Sequence, residues 1–183
     1  MKKAIILGIL LLTAFAANAQ LRWDVRVGAN VSQFSEGGAG LKLGVQAGVT
    51  AEYGFSKLFA LRPGVRFSMK GSSDSWAFAA GFPKAFNLSY LEVPVLASFR
   101  FPITQGFALA LNAGPSFNFR VNKAPALLPG VRSFDLGAEA GLDFVFRHLV
   151  FGPSAQYGLT NIASVNGEKY HNICYSFTIG YKF

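Results

Sequence analysis

From Leu21 onward the chain alternates. Leu21, Trp23, Val25, Val27, Ala29 and Val31 are apolar, while Arg22, Asp24, Arg26, Gly28, Asn30 and Ser32 between them are polar or small. Successive side chains of a strand point to opposite faces, so the stretch predicts a strand with one oily and one charged face. The pattern recurs at Leu41–Tyr53, Leu58–Lys70, a stretch beginning near Asn87 and running to Phe101, Phe107–Val121, Phe134–Phe146, Leu149–Thr160 and Ile173–Phe183. No helical period of comparable strength is present. The expected fold class is therefore all-β, with about eight strands.

The connections alternate in length. Gln33–Gly40, Gly71–Phe86, Asn122–Ser133 and Asn161–Asn172 are long; Gly54–Lys57, Pro102–Gly106 and Arg147–His148 are short. An even number of strands joined by alternating short turns and long loops predicts an eight-stranded antiparallel up-and-down transmembrane β-barrel, with both termini on the periplasmic side. Lipid offers no hydrogen-bond partner, so such a sheet has to close and the first strand has to pair with the last. Pro63, Pro94, Pro115 and Pro153 fall inside strands. Proline donates no ladder bond, and bulges or strand ends are expected at these positions.

Ahead of the first strand, Met1-Lys2-Lys3 is basic and Ala4–Ala16 is an apolar run broken only by Gly8 and Thr13. Ala17-Asn18-Ala19 fits a small-x-small cleavage site, so residues 1–19 are expected to be a signal peptide and 20–183 the barrel domain. The run is too short for a membrane-spanning helix.

Composition sharpens the picture. The chain has 17 basic and 9 acidic residues. Without Lys2 and Lys3 the balance is 15 to 9, but the basic residues form no run or stripe, which argues against a nucleic-acid partner. Apolar residues make up 51 % of the chain, with 19 Phe and 20 Gly, yet no stretch after the expected cleavage site approaches a membrane helix. The oil is dispersed by alternation. Cys174 is the only cysteine, so an exported chain must be held together without an internal disulfide.

Two barrels could share this pattern. In a soluble lipocalin-like carrier the apolar face points inward; in a membrane barrel it points to lipid. The polar face is rich in Gly, Ser, Thr and Asn, small enough for a narrow interior. Trp23, Tyr53, Phe59, Phe101, Phe107, Phe119, Phe146, Phe151, Tyr181 and Phe183 lie near strand ends, as interfacial girdles do. A strand ending in Phe183 also suits recognition by the barrel assembly machinery. Outer-membrane lipid is thus the expected surrounding.

The same phase turns Arg22, Arg26, Lys42, Arg62, Arg66, Lys70, Arg100, Arg120 and Lys182 inward, with Asp24, Glu52, Glu92, Asp135, Glu139 and Asp143. An eight-stranded barrel is just wide enough for its own side chains, so these predict an ion-pair network filling the lumen rather than a solute path. No metal-ligand spacing, phosphate loop or cofactor fingerprint is present, and neither cofactor nor enzymatic activity is expected. A lipid-modifying enzyme would need a Ser/His/acid set; His171 with Ser164 or Ser176 and Glu168 is conceivable as one, though loop composition explains these residues as well. Trp76, Phe78 and Phe82 in the loop 71–86 are the candidate contact for an unknown protein partner, the alternative being aromatics that dip into the lipid interface.

The stretch Tyr90-Leu-Glu-Val-Pro-Val-Leu resembles a signature of the PorT-like outer-membrane β-barrel family of Bacteroidetes, in which the fourth strand reads Tyr-Leu-Glu-Ile/Val-Pro. The Ala-Asn-Ala-Gln at the expected cleavage site, the Gly-rich second strand and the later Gly-Pro pairs are similar to that family too. The resemblance implies an outer-membrane barrel with no catalytic residues. Through the namesake branch it also implies a possible accessory role in type IX protein secretion.

Overall fold

The computed structural model describes residues 21–35, 40–73, 85–122, 132–165 and 168–183. The expected signal peptide and the aromatic set Trp76, Phe78 and Phe82 lie outside these residues. Among these residues ten strands are formed: β1 Leu21–Phe34, β2 Lys42–Gly54, β3 Phe59–Ser73, β4 Ala85–Thr104, β5 Phe107–Arg120, β6 Phe134–Phe146, β7 Leu149–Gly158, β8 Ala163–Val165, β9 Glu168–Tyr170 and β10 Asn172–Lys182. Eight of them close into one antiparallel barrel in the order β1-β10-β7-β6-β5-β4-β3-β2.

Closure is made by β1, which pairs with β2 on one side and β10 on the other. Val27 stands opposite Ala47 in one ladder and Ile179 in the other. All three belong to the apolar phase, so the outer surface stays oily across the seam. Large apolar residues are exposed around the whole circumference, from Val27 (55 %) to Ile179 (51 %). The buried set is mostly polar and includes Asp24, Arg62, Lys70, Glu92 and Asp135. That inversion of the usual soluble pattern settles which face of the alternation is inside.

Aromatic rings cluster at the end of the barrel where β1 begins, β10 ends and the short turns lie. Tyr53, Phe55, Phe59 and Phe99 form a chain of ring contacts 4.8–5.6 Å apart. Phe107, Phe144 and Phe151 form a second, and His148, Tyr181 and Phe183 a third. Phe183 also donates its backbone N–H to the Trp23 carbonyl at 2.8 Å. Fewer described rings meet at the other end, where Phe119 packs on Phe134 and Tyr157 on His171.

The prolines correct one expectation. They produce no bulge. Each sits where a ladder is interrupted on one side while the register stays constant: Pro63 facing Ala51, Pro94 facing Gly64, Pro115 facing Val95 and Pro153 facing Leu142. On its other side each keeps a paired neighbour, Val95, Ser116, Ala138 and Phe177 respectively. A strand can thus forgo one ladder bond without inserting a residue. The register shift recorded in these ladders is at Pro102/Thr104, beside a short turn.

A second correction concerns the connection 161–172, expected as a loop. It contains the β8–β9 hairpin, with Ser164 opposite Lys169. Three-residue strands are too short for alternation to reveal.

Glycine on the inner phase lets neighbouring strands close in. A Cβ at Gly152 would sit 1.8 Å from the Leu142 carbonyl oxygen, beside the interruption at Pro153. Gly152→Ala is expected to cost about 1–3 kcal/mol by overpacking, read as a lower urea midpoint of the refolded barrel. An unchanged midpoint would mean that β6 and β7 stand further apart here.

Candidate functional site: the charged bore

The inner face is built by the even-numbered residues of β1, β2, β3, β4, β5, β7 and β10 and the odd-numbered residues of β6. Its charges meet in two groups. Nearer the short turns, Asp143 accepts two hydrogen bonds from Arg26, at 2.8 and 3.0 Å, one from Arg62, and one from Asn112 at 2.9 Å. Asp24 accepts from Arg26 Nε at 2.6 Å and Arg62 Nη2 at 3.0 Å. Glu52 pairs with Lys182, and lies 3.7 Å from Arg62 and 3.8 Å from Arg100. Arg22 stands opposite Glu52 in the β1–β2 ladder.

The second group lies further along the bore. Glu92 accepts from Arg66 Nε at 2.7 Å and pairs with Lys70. Arg66 then grips Glu139 through both terminal nitrogens, at 3.0 and 2.7 Å. Gln156 accepts from Lys70. Bidentate guanidinium–carboxylate bonds are among the stronger polar contacts a protein makes. Burying ions is costly unless they are paired and further hydrogen-bonded, and Asp24 and Glu92, each with no exposed surface, are served in that way.

Beyond these groups the inner face changes character. Asp135 accepts from Thr160 Oγ1 at 2.7 Å and from Asn172 at 3.1 Å. Phe34, Leu88, Tyr90 and Ile162 then form a buried apolar cluster at the long-loop end, with Tyr170 packed against it. Lys42 donates to the Lys70 carbonyl at 2.8 Å, and Arg120 stands opposite Tyr90 in the β4–β5 ladder. The cavity between the two ion groups has a volume of about 60 Å³, room for a few waters.

Each residue expected in the lumen is therefore on the inner face. Arg26, Arg62, Asp24, Asp143, Glu52 and Lys182 come together, as do Arg66, Lys70, Glu92 and Glu139. Arg22, Arg100, Lys42, Arg120 and Asp135 stand nearer the two ends. Sequence reasoning missed the apolar cluster. Its signal was present: Leu88 and Tyr90 share the phase of Glu92, so two bulky residues follow the charged phase inward.

The Tyr90-Leu-Glu-Val-Pro stretch is explained by these contacts. Tyr90 joins the apolar cluster, Glu92 joins Arg66 and Lys70, and Pro94 sits at a ladder interruption. No contact with anything outside the barrel is required to account for it.

The conceivable catalytic set is not assembled around Ser176. His171 Nδ1 donates to the Gly158 carbonyl at 3.0 Å. Ser176 is five residues along the same strand line, roughly 16 Å away at strand rise, and shares a hydrogen bond with Ser154. The side chains of Ser164 and Glu168 lie outside the described set. Among the described residues no group of three or more His, Cys, Asp or Glu side chains is placed to hold a metal.

A closed eight-stranded barrel with lipid-type side chains outside and paired charges inside is a small transmembrane β-barrel of the outer-membrane class. The family comparison agrees. Residues 15–164 match the model of the outer membrane protein beta-barrel domain, and the chain belongs to that family. Among solved structures it is similar to the attachment invasion locus protein Ail of Yersinia pestis, with 16 % identity and a TM-score of 0.51 over 88 % of this chain and 98 % of that one. It is also similar to Neisserial surface protein A, with 19 % identity and a TM-score of 0.51 over 88 % and 97 %. A third likeness is to the outer membrane enzyme PagL, with 12 % identity and a TM-score of 0.50 over 86 % and 98 %. At these identities the likeness is one of fold. No curated protein matches the chain.

Proposed function

We propose that this protein is a non-enzymatic structural or surface-interaction barrel of the outer membrane whose lumen is closed to solutes. The observation that carries the reading is the inner face itself. Two buried ion-pair groups and an apolar cluster succeed one another along the bore, with about 60 Å³ between the ion groups. In this reading the termini and short turns lie in the periplasm and the long loops face outward, as alternating connection lengths favour. An attachment invasion locus protein and a Neisserial surface protein share the architecture, which supports a role exercised through the outer loops. The loop carrying Trp76, Phe78 and Phe82 is, by composition, the first place to seek a protein partner. The secretion role implied by the Tyr90-Leu-Glu-Val-Pro resemblance gains no separate support, because those residues are occupied within the barrel.

The test is a single preparation read in two ways. Unboiled protein from the outer-membrane fraction is expected to migrate differently from boiled protein on a gel. The same protein in a planar bilayer is expected to give no conductance steps. Steps on the nanosiemens scale would overturn the closed lumen.

A further inference from the structure

The bore is not evenly charged along its length. At the short-turn end a cavity of about 590 Å³ opens beyond the first ion group. Arg22, Lys57, Arg100, Arg147 and Lys182 stand around it, and Arg26 and Arg62 form its floor. Its lining carboxylates are Glu52 and Asp143. Asp143 is engaged by Arg26 and Arg62, with Asp24 behind them. That leaves Glu52 to serve Lys182, Arg62 and Arg100 at once, with Arg22 across the ladder. The 3.7 Å and 3.8 Å separations to Arg62 and Arg100 exceed hydrogen-bond length. Accordingly, Arg62 Nε is buried with no hydrogen-bond partner.

The other wall is different in kind. Ala108, Val145 and Val150 form a buried apolar cluster on β5, β6 and β7, with Ala110 beside them in the lining. The side built by β1, β2, β3, β4 and β10 carries more positive charge than its carboxylates balance, and the β5–β7 side is mostly apolar, its charges being the engaged Asp143 on β6 and Arg147 in the β6–β7 turn. The volume is that of a small-molecule site, where apolar lining and a few convergent polar groups are usual. Arginine forks suit planar or tetrahedral oxyanions.

We propose that this vestibule binds a small organic dianion of the phosphate-monoester type. Its oxyanion head is held by the cations that share Glu52 together with Lys57 at the mouth, and its apolar body lies on the β5–β7 wall. The proposal goes beyond the structural role above and does not depend on which side of the membrane the short turns face.

The probe is 4-fluorophenyl phosphate, followed by fluorine NMR with the full barrel in zwitterionic lipid nanodiscs. Inorganic phosphate and 4-fluorophenol serve as comparators. Saturable broadening is expected, with affinity about tenfold above that of inorganic phosphate, the equivalent of about 1.4 kcal/mol for burying the ring. Arg100→Gln, on the partly exposed rim, is expected to weaken the aryl phosphate about tenfold while the gel shift on boiling is retained. Lys57→Gln, in an exposed turn, provides a second variant for which folding is not at stake; it should weaken binding in the same direction. Absence of saturable broadening at 10 mM probe, equal binding of the neutral phenol, or unchanged affinity in both variants would each overturn the proposal. Binding of inorganic phosphate as tight as the ester would do so too, by removing the apolar wall from the site.

Discussion

Asp143→Ala is expected to destabilise the barrel by about 3–5 kcal/mol, the range for removing one partner of a buried ion group. The carboxylate accepts from Arg26, Arg62 and Asn112 together. Arg62 is 4 % exposed and Arg26 shares Asp24 with it. Without Asp143, the mostly buried Arg26 and Arg62 guanidiniums would have to share Asp24, with Glu52 no nearer than 3.7 Å to Arg62. The loss is read from urea unfolding in lipid vesicles, followed by tryptophan fluorescence. Asp143→Asn keeps the shape and one acceptor and should fall between the two. Replacing Asp24, Arg26, Arg62 and Asp143 together by apolar residues of similar volume should recover much of the loss, because no buried charge is then left without its partner and the group's own desolvation cost disappears with it. A loss below about 1 kcal/mol for Asp143→Ala would mean that these charges are solvated like surface pairs, and the closed-lumen reading would fall with it.

Val27→Lys tests the opposite face. Val27 is 55 % exposed, near the middle of β1, between Ala47 and Ile179. In a bilayer a lysine at mid-depth on the lipid face costs about 2–4 kcal/mol, falling to about 0–1 near the interface. Val27→Lys should therefore be strongly destabilising in vesicles, and Leu21→Lys, at the start of the strand, nearly neutral. If the exposed apolar face met water instead, both substitutions would be neutral or would improve solubility. The depth dependence distinguishes the two cases, since a general loss of strand propensity would affect both positions alike.

Much of the fold was legible because a strand's period is two and admits no intermediate. Once Leu21, Trp23 and Val25 share a face, Arg22, Asp24 and Arg26 must share the other. A barrel that exposes one face to lipid has only one place for charge. The same alternation puts Glu92 and Arg66 on one face, where they meet. Elsewhere the period carries no information. The β8–β9 hairpin is too short to show alternation, and proline's missing N–H did not reveal whether the strand would bulge or simply omit a bond.

Periodicity reports a side chain's face but not its height or its position around the tube. Arg26 and Asp143 are 117 residues apart and meet because the register of seven ladders and the closure of β1 on β10 bring them to one level. The number of strands in the barrel, their phase and the identity of the inward charges follow from local alternation, which the sequence by itself determines. The tertiary structure alone decides which cation meets which carboxylate, that Leu88 and Tyr90 join Phe34 and Ile162 at one end, and that cations outnumber carboxylates at the other. Such contacts depend on the stagger of strands across a closed sheet, a property of the whole circumference that no single stretch of sequence encodes.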